Sequence, residues 1–397
     1  MNLLGVAVKL ASAVNQPLAL DSVRCVRANN RLSQCDRCLR ACPVGALQID
    51  SPIKLNEKTC ANCGLCLHSC PVGAFTGDDG TDPLLQFLLQ FPSGQIIELA
   101  CLQHPEPELG ASLKANVIQT DRCLGALGPS IYAWLMARGM SQVIVRLDAC
   151  AECEIGKSSA TMQANLVSLA NLFNTGNSPR IKMIETRDPS WKEREVIAIN
   201  DVPLSRRELL RRMTQDAPKS AARALATESV DPKTKAPPRE RKRLLDALAR
   251  VPALNREQSV QGLGAIRLGA NEKCTACGAC ARICPTGAIQ FTVTDQKDYR
   301  LELKIGACTD CGVCLDVCEP AALYRDRAPS AAEFIAAEPV VLSAGGLKEC
   351  TRCGARYAAQ IPGDLCSICD FRKQNPFGSR LPPAIAARLQ KQREARQ

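Results

Sequence analysis

The sequence predicts a multidomain protein of mixed α+β and α/β class, and three features of the chain support this expectation. Two blocks of eight cysteines, at residues 25–70 and 274–318, repeat closely similar spacings. Between them, residues 94–186 alternate strand-like and helical runs, which is typical of an open parallel α/β sheet. Residues 350–369 carry two C-x-x-C pairs, which predict a small four-cysteine module near the C-terminus.

The 24 cysteines predict metal sites rather than disulfide bonds. They divide into groups of eight, four, eight and four, so none is left over. One tetrahedral metal ion or one iron–sulfur cluster takes four cysteine ligands, and a chain of 397 residues does not need disulfides to hold its core. Thiolate ligands require a reducing compartment, and no apolar run reaches the ~18 residues of a membrane-spanning helix. We therefore expect a cytoplasmic protein without a transmembrane segment.

The two eight-cysteine blocks resemble the bacterial dicluster ferredoxins. The second block reads Cys274-x2-Cys277-x2-Cys280-x3-Cys284-Pro285, followed by Cys308-x2-Cys311-x2-Cys314-x3-Cys318. The first block ends in Cys60-x2-Cys63-x2-Cys66-x3-Cys70-Pro71, but it opens with the altered run Cys25-x9-Cys35-x2-Cys38-x3-Cys42-Pro43. We refer to the regions that carry these blocks as the first and second ferredoxin modules.

This resemblance implies four [4Fe–4S] clusters, because in such ferredoxins three cysteines of a run hold one cluster and the fourth cysteine holds the other. We also expect the fourth cysteine to lie at the start of a short helix. The implied ligand sets are Cys25, Cys35, Cys38 and Cys70 (first set); Cys42, Cys60, Cys63 and Cys66 (second set); Cys274, Cys277, Cys280 and Cys318 (third set); and Cys284, Cys308, Cys311 and Cys314 (fourth set). The alternatives are zinc or unligated thiols, or a first cluster with three protein ligands if Cys25 cannot reach it.

The central domain is predicted to bring four further cysteines together. Strands are expected at 96–100, 116–120, 142–147 and 181–185, with another near 196–199 and helices near 129–138 and 160–173. Cys101, Cys123 and the pair Cys150 and Cys153 each follow a predicted strand, and parallel strands end on one edge of a sheet. We expect these four cysteines, the central set, to form one redox-active site. His104 is either a substitute ligand or an ordinary polar loop residue, and a structural zinc ion is the alternative occupant.

The central domain also resembles the delta subunit of methyl-viologen-reducing hydrogenase and related hydrogenase iron–sulfur subunits. The resemblance rests on E-L-A-Cys101, on D-R-Cys123, and on V-I-V-R-L-D-A-Cys150-x2-Cys153. It implies a [2Fe–2S] cluster and the relay of electrons to heterodisulfide reductase. The glycine-cysteine phrase that usually precedes the last pair is missing, since Ala149 stands there, so the cluster type is left open.

The C-terminal set, Cys350, Cys353, Cys366 and Cys369, is predicted to bind zinc. Two C-x-x-C turns at this separation can close one tetrahedral site, and the pattern resembles a zinc ribbon. Rubredoxin-type iron is the redox-active alternative.

The net charge of +10 does not predict nucleic-acid binding. Much of the excess lies between residues 205 and 256, where no stacking aromatic residues or recognition motif accompany it. Four bound clusters of about −2 each would bring the total close to zero. The capping box Ser205-x-x-Glu208 predicts the start of a helix, residues 231–240 an exposed linker, and residues 241–249 a second helix.

The combined expectation is an electron-transfer subunit without catalytic activity of its own. The predicted boundaries are 1–82 for the first ferredoxin module, 83–200 for the central domain, 201–262 for a basic helical linker, 263–335 for the second ferredoxin module, 336–380 for the C-terminal module and 381–397 for a basic tail. No G-x-G-x-x-G motif or P-loop is present, and two histidines offer little for acid–base catalysis. The expected partners are hydrogenase, molybdenum or flavin subunits. The alternatives are an accessory factor for metalloenzyme maturation and a redox-sensing regulator.

Overall fold

The computed structural model of the chain describes residues 18–30, 32–50, 53–110, 112–173, 180–199, 235–252, 254–376, 386 and 390. The helix predicted to start at Ser205, residues 231–234 of the predicted exposed linker and nearly all of the predicted basic tail lie outside these residues. Within the described part of the chain, no helix combines the length and the apolar character that crossing a bilayer requires.

The first ferredoxin module is built from two short strand pairs and three short helices. Its strands are β1 (Ala19–Leu20), β2 (Leu47–Gln48), β3 (Lys54–Leu55) and β4 (Phe75–Thr76), and its helices are α1 (Val26–Asn29), α2 (Arg37–Ala41) and α3 (Leu65–Ser69). Strand β1 pairs with β4, and β2 pairs with β3, both antiparallel. The module therefore closes on itself, because its first and last strands are partners.

The fourth cysteine of a run lies after a helix, so the prediction that it begins one is wrong. Cys42 ends α2 and Cys70 ends α3, each in an extended conformation with ψ near 113° and 114°. A proline follows each of these cysteines, and the residue before a proline is excluded from the helical region by steric clash. The proline therefore ends the helix and turns the chain toward the neighbouring set.

The central domain contains a five-stranded parallel sheet, as predicted. Its strands are β5 (Ile96–Ala100), β6 (Leu109–Gly110), β7 (Ala115–Gln119), β8 (Gln142–Arg146), β9 (Ile181–Ile184), β10 (Lys192–Glu193) and β11 (Val196–Ala198), with helices α4 (Thr81–Leu88), α5 (Pro129–Ala137) and α6 (Ser159–Phe173). The sheet has the order β11-β7-β5-β8-β9, and all neighbouring strands are parallel. Buried Leu99 and Val145 lie in the core that the helices share with the sheet. The carboxyl ends of β5, β7 and β8 consequently meet at one edge.

The second ferredoxin module shares a sheet with the C-terminal module. The elements of this half are α7 (Arg239–Ala249), β12 (Arg267–Ala270), α8 (Ala279–Ile283), β13 (Ile289–Thr294), β14 (Asp298–Leu303), α9 (Val313–Asp316), β15 (Leu323–Arg327), α10 (Ala331–Ile335), β16 (Val340–Glu349), β17 (Arg356–Ala358) and α11 (Ser367–Gln374). Strand β12 pairs with β15, as β1 does with β4. The long strand β16 pairs with both β14 and β17, so one sheet crosses the predicted boundary at residue 336.

Helix α7 lies between the other parts of the protein and contacts three of them. Leu244 and Leu248 are buried in one hydrophobic core with residues of the central domain and the second ferredoxin module. Arg243 donates to Asp79 and Asp82, each at 2.6 Å, next to the first ferredoxin module. Glu240 accepts hydrogen bonds from the backbone N–H and the hydroxyl of Ser130, each at 2.7 Å, and so caps α5. The helix predicted at residues 241–249 is therefore present, and it packs against three parts of the protein.

The turn after the fourth cysteine requires a left-handed residue in all four runs. Gly45, Gly73 and Gly287 occupy this position with φ of 64°, 62° and 69°, whereas Ala321 occupies it in the fourth run with φ of 50°. A left-handed conformation costs an L-residue with a Cβ about 1–2 kcal/mol, and glycine avoids this cost. The side chain of Ala321 is exposed, so it makes no compensating packing contact.

We predict that Ala321→Gly stabilises the protein by about 0.5–1 kcal/mol, after allowing for the greater freedom of glycine in the unfolded chain. The apparent unfolding temperature of the anaerobic protein measures the effect. Ala276→Gly is the matched control: Ala276 is also left-handed, with φ of 57°, but it is buried against Tyr299 and Ala358. Ala276→Gly should stabilise the protein less than Ala321→Gly does, and an equal or larger stabilisation by Ala276→Gly would contradict the explanation.

Candidate metal centres

Each of the four ferredoxin sets surrounds one cavity. The first, second, third and fourth sets line separate cavities, each with all four of its expected cysteines and with none from another set. The space free of protein atoms, with the part open to solvent included, is similar in the four cavities, from about 310 to about 390 Å³. Cys25 reaches its cavity from the N-terminal end of α1 and is only 7% exposed. The structure thus brings together the residues of each predicted set.

Three of the four runs share the same loop conformation. In the loop from Cys60 to Cys63, the residue before the second cysteine, Asn62, and the residue after it, Gly64, both have positive φ. The equivalent pairs in the other two runs are Ala276 with Gly278 and Asp310 with Gly312. The run at Cys35 lacks this conformation, because Asp36 has φ of −132° and α2 starts at the next residue. That difference explains why the remaining ligand candidate, Cys25, comes from a separate helix.

Backbone N–H groups point at several cysteine sulfur atoms. The N–H of Ala46 donates to Cys42 Sγ, that of Ala74 to Cys70 Sγ, and that of Ala322 to Cys318 Sγ, each at 3.2 Å. In every case the donor lies four residues after the fourth cysteine of a run. Hydrogen bonds of this kind favour the negatively charged thiolate form of cysteine.

The buried thiols need a positive partner before they lose their protons. Burial raises the pKa of Cys38, Cys280 and Cys311 to about 12 and that of Cys308 to about 11, and neighbouring cysteines add to the effect. A bound metal removes this penalty, because thiolates bind it in place of the proton. Four converging sulfur atoms in an apolar cavity with N–H donors are a donor set that fits an iron–sulfur cluster.

The central set lies at the carboxyl edge of the parallel sheet, where the order of the strands places it. The Leu102 N–H donates to the Arg122 carbonyl at 3.4 Å, which joins the loops after β5 and β7. The Cys153 thiol contacts Gln103 Oε1 at 3.6 Å, which joins the loops after β5 and β8. Burial raises the pKa of Cys150 to about 12, and Cys101, Cys123 and Cys153 contribute to that shift. The four thiols therefore share one electrostatic environment.

His104 supports the central set without facing it as a ligand. Its Nε2 lies 3.3 Å from Asp148, and its Nδ1 accepts a hydrogen bond from the Glu106 N–H at 3.3 Å. Burial would raise the pKa of Asp148, but hydrogen bonds from Arg146 and His104 outweigh burial and lower it. Arg146 also pairs with buried Glu98 at 2.9 Å. A buried ion-pair network, which the sequence did not reveal, thus fixes the strand ends that carry Cys101 and Cys150.

The C-terminal set is the most tightly gathered of the cysteine groups. The sulfur atoms of Cys350, Cys353, Cys366 and Cys369 all lie within 4.8 Å of one another, and the distance from Cys353 Sγ to Cys366 Sγ is 3.8 Å. A tetrahedral ion with metal–sulfur bonds of about 2.3 Å has sulfur atoms roughly 3.8 Å apart. Backbone N–H groups, with that of Cys366 first, lower the pKa of Cys350 to about 6. This site can hold a single metal ion.

The first and fourth sets meet where the two ferredoxin modules pack together. Arg37, next to Cys38 of the first set, donates to the carbonyl of Thr309 at 3.2 Å and to that of Asp310, in the loop between Cys308 and Cys311. Val313 of the second module is buried in the hydrophobic core of the first module. A larger, partly open cavity adjoins this contact and is lined by residues that include Arg37, Cys70, Gly125, Arg241 and Thr309.

The second set adjoins the central set. A Cβ atom added to Gly64 would lie 2.7 Å from the Cβ of Ala126, so the loop of the second set touches the short 3-10 helix after Cys123. Burial raises the pKa of Cys63, and Cys123 contributes more to that rise than Cys42 or Cys60 does. At the other end of the protein, the Ala358 N–H donates to the Thr275 carbonyl at 3.1 Å, which joins the C-terminal module to the third set.

Comparison with known protein families agrees with the cysteine spacing. Residues 33–74 and residues 273–322 each match the 4Fe-4S dicluster domain family. The chain therefore contains two dicluster ferredoxin domains. The first match starts after Cys25, which the structure nevertheless places at the first cavity. A search of curated proteins gave no match, and the likeness of the central domain to hydrogenase delta subunits has no support from these comparisons and stays a prediction.

We predict that Cys42→Ser damages the cluster of the second set and leaves that of the first set intact. Cys42 lies beside Cys38 in sequence, but it lines the cavity of Cys60, Cys63 and Cys66. The EPR spectrum of the dithionite-reduced variant should match that of Cys63→Ser and differ from that of Cys38→Ser. A Cys42→Ser spectrum identical to that of the unaltered protein, or to that of Cys38→Ser, would rule out the crossed arrangement.

Proposed function

We propose that the protein is an iron–sulfur electron carrier that passes electrons between partner proteins through four [4Fe–4S] clusters and the central set. Two dicluster ferredoxin domains point to iron–sulfur electron transfer. The wider proposal rests on the way in which the cysteine sets adjoin one another in series. The third set shares a module with the fourth, the fourth touches the first, the first shares a module with the second, and the second adjoins the central set.

The chain's own residues perform three tasks in this proposal. Sixteen cysteines of the ferredoxin sets would hold the clusters, and the lining of one cavity by each set supports this assignment. Backbone N–H groups stabilise the thiolate charge, and apolar side chains keep water away from the sulfur atoms. When bound, each cluster supplies one-electron oxidation and reduction. Because consecutive sets are neighbours, an electron would pass from one end to the other in a series of steps between adjoining sets.

The central set is proposed to hold a [2Fe–2S] cluster and to serve as one terminus of the path. Three strand ends contribute its cysteines, so the site depends on the whole sheet, as functional sites on parallel α/β sheets commonly do. We propose that the C-terminal set binds zinc, as in a zinc ribbon, and stiffens the loop of the third set through Ala358 and Thr275. The expected partners are subunits of hydrogenase, molybdenum or flavin oxidoreductases, and the carrier itself performs no catalysis.

Metal and sulfide analysis of anaerobically purified protein tests this proposal. We predict about 16 iron atoms from four cubane clusters, two more if the central set holds a [2Fe–2S] cluster, and one zinc ion at the C-terminal set. The double variant Cys150→Ser with Cys153→Ser should lose about two iron atoms and one EPR or absorption feature, because it removes half of the central ligands.

Two outcomes would count against the proposal. An iron content of about four atoms or fewer in carefully reconstituted protein would exclude four cubane clusters. A double variant that keeps all of its iron and loses only zinc would remove the redox role of the central set, and the central domain would then be a structural spacer. Cys350→Ser is the matched control, since it should release zinc and leave the iron content unchanged.

A further inference from the structure

A buried arginine from outside the second ferredoxin module lies beside the fourth set. Arg241, on α7, is 7% exposed, and its guanidinium group donates to the carbonyls of Leu263 and Gly264 at 2.9 and 2.7 Å. The group also lies 4.8 Å from the centre of the Phe334 ring. Thr309, the residue after Cys308, borders the same cavity as Arg241. The positive charge therefore stands next to the loop that carries the fourth set.

The charge of Arg241 is incompletely compensated by protein groups. Among the described residues, Arg241 Nη2 donates to two backbone carbonyls, and Nη1 has no hydrogen-bond partner. Burial lowers the pKa of Arg241 to about 10, which still leaves the guanidinium group charged near neutral pH. An unpaired buried charge is costly, so the anionic group held by Cys308 is its natural partner.

A second arginine reaches the same loop from the first ferredoxin module. Arg37 donates to the carbonyls of Thr309 and Asp310, and it forms an ion pair with the Asp310 carboxylate at 3.5 Å. Arg325 pairs with the same carboxylate at 2.9 Å. One carboxylate beside the fourth set thus serves two guanidinium groups.

The arginines beside other ferredoxin sets are more exposed. Arg27 donates to the Cys35 carbonyl at 3.2 Å, and Arg282 donates to the Cys277 carbonyl at 2.8 Å. Arg27 is partly exposed and Arg282 is exposed, so water and salt screen their charges. The charge of buried Arg241 is screened much less.

We propose that the fourth set holds the cluster of highest reduction potential among the four ferredoxin sites, and that Arg241 and Arg37 raise that potential from outside the second module. The inference rests on the proposed function, because it assumes a [4Fe–4S] cluster at each ferredoxin set. One-electron reduction at the fourth set adds one negative charge beside the guanidinium groups, and nearby positive charge favours the reduced state. The electron comes from a neighbouring set or, in the test below, from dithionite.

In this arrangement, the contact between the modules sets the reduction potential of the fourth set. Arg37 belongs to the first module and Arg241 to α7, so the fourth set has both charges only when all three parts are packed together. An electron that enters from either end would collect at the junction of the two modules. Separation of the modules would remove the charge of Arg37 and weaken that preference.

An EPR-monitored redox titration of the full-length protein with dithionite tests the order of reduction. The cubane signal that appears at the highest potential should be the one that is lost in Cys314→Ser. If that first signal survives in Cys314→Ser and disappears in Cys38→Ser, Cys63→Ser or Cys280→Ser, the inference is wrong. This outcome would leave the proposed function intact, because four titrating clusters would still be present.

Substitution of the arginines tests the cause. At a fixed potential, the reduced-to-oxidised ratio of the fourth-set signal should fall by about tenfold or more in Arg241→Gln, because this arginine is buried. The ratio should fall less in Arg37→Gln. Arg241→Lys keeps the charge and should restore most of the ratio. Arg40→Gln is the matched control, because Arg40 lies on the same helix as Arg37 but pairs with Asp36 and is 71% exposed.

The iron content separates a loss of folding from a loss of charge. If Arg241→Gln does not retain its iron, Arg37→Gln becomes the deciding variant. The Arg37 side chain is 31% exposed and is less needed for packing. If the Gln variants retain their iron and all four midpoint potentials stay unchanged, the arginines do not set the potential. An equal shift of all four signals would also contradict the inference, since it would indicate a general effect of net charge.

Discussion

Leu244 and Leu248 of α7 enter the hydrophobic core that the central domain shares with the second ferredoxin module, and the relative positions of the cysteine sets depend on this contact. Complete burial of two leucine side chains contributes about 3–6 kcal/mol. Polar contacts on the same helix then fix its orientation, because Glu240 caps α5 and Arg243 pairs with Asp79. With α7 in place, the two ferredoxin modules pack together through Arg37 and Val313, and the fourth set faces the first.

The cysteine sets add a second constraint, which links folding to the bound cofactor. Burial raises the pKa of thiols such as Cys38 and Cys280 to about 12, so without a metal these groups stay protonated and their cavities lack the bonds that would hold four loops together. Metal binding converts the same thiols into ligands, and the binding free energy becomes folding free energy. Proline after the fourth cysteine and left-handed residues beside the second cysteine shape the backbone for this purpose in advance.

Local features of this fold were predictable, and contacts between distant residues were not. The resemblance of the cysteine runs to dicluster ferredoxins implied the four ligand sets, and the expected bounds of strands β5 and β8 agree with the structure within one residue because their apolar runs are continuous. By contrast, Arg37 and Thr309 are 272 residues apart, and nothing near either residue indicates the other. The role of α7 was missed because its charged surface resembles that of an exposed helix, although it buries Arg241 as well as two leucines. Pro43 and Pro71 disfavour a helical conformation at Cys42 and Cys70, so each of these cysteines follows its helix and does not start one.

The most direct test of the account is an anomalous-scattering map at the iron absorption edge from crystals grown without oxygen. The account predicts one strong iron peak in each of the four ferredoxin cavities, with the peaks in the order third, fourth, first, second, and a weaker peak at the central set. The peaks of the first and fourth sets should lie on either side of Arg37. Iron peaks that place the first and fourth sets apart, with the two ferredoxin modules separated, would contradict the account. The absence of iron from the central set would also contradict it.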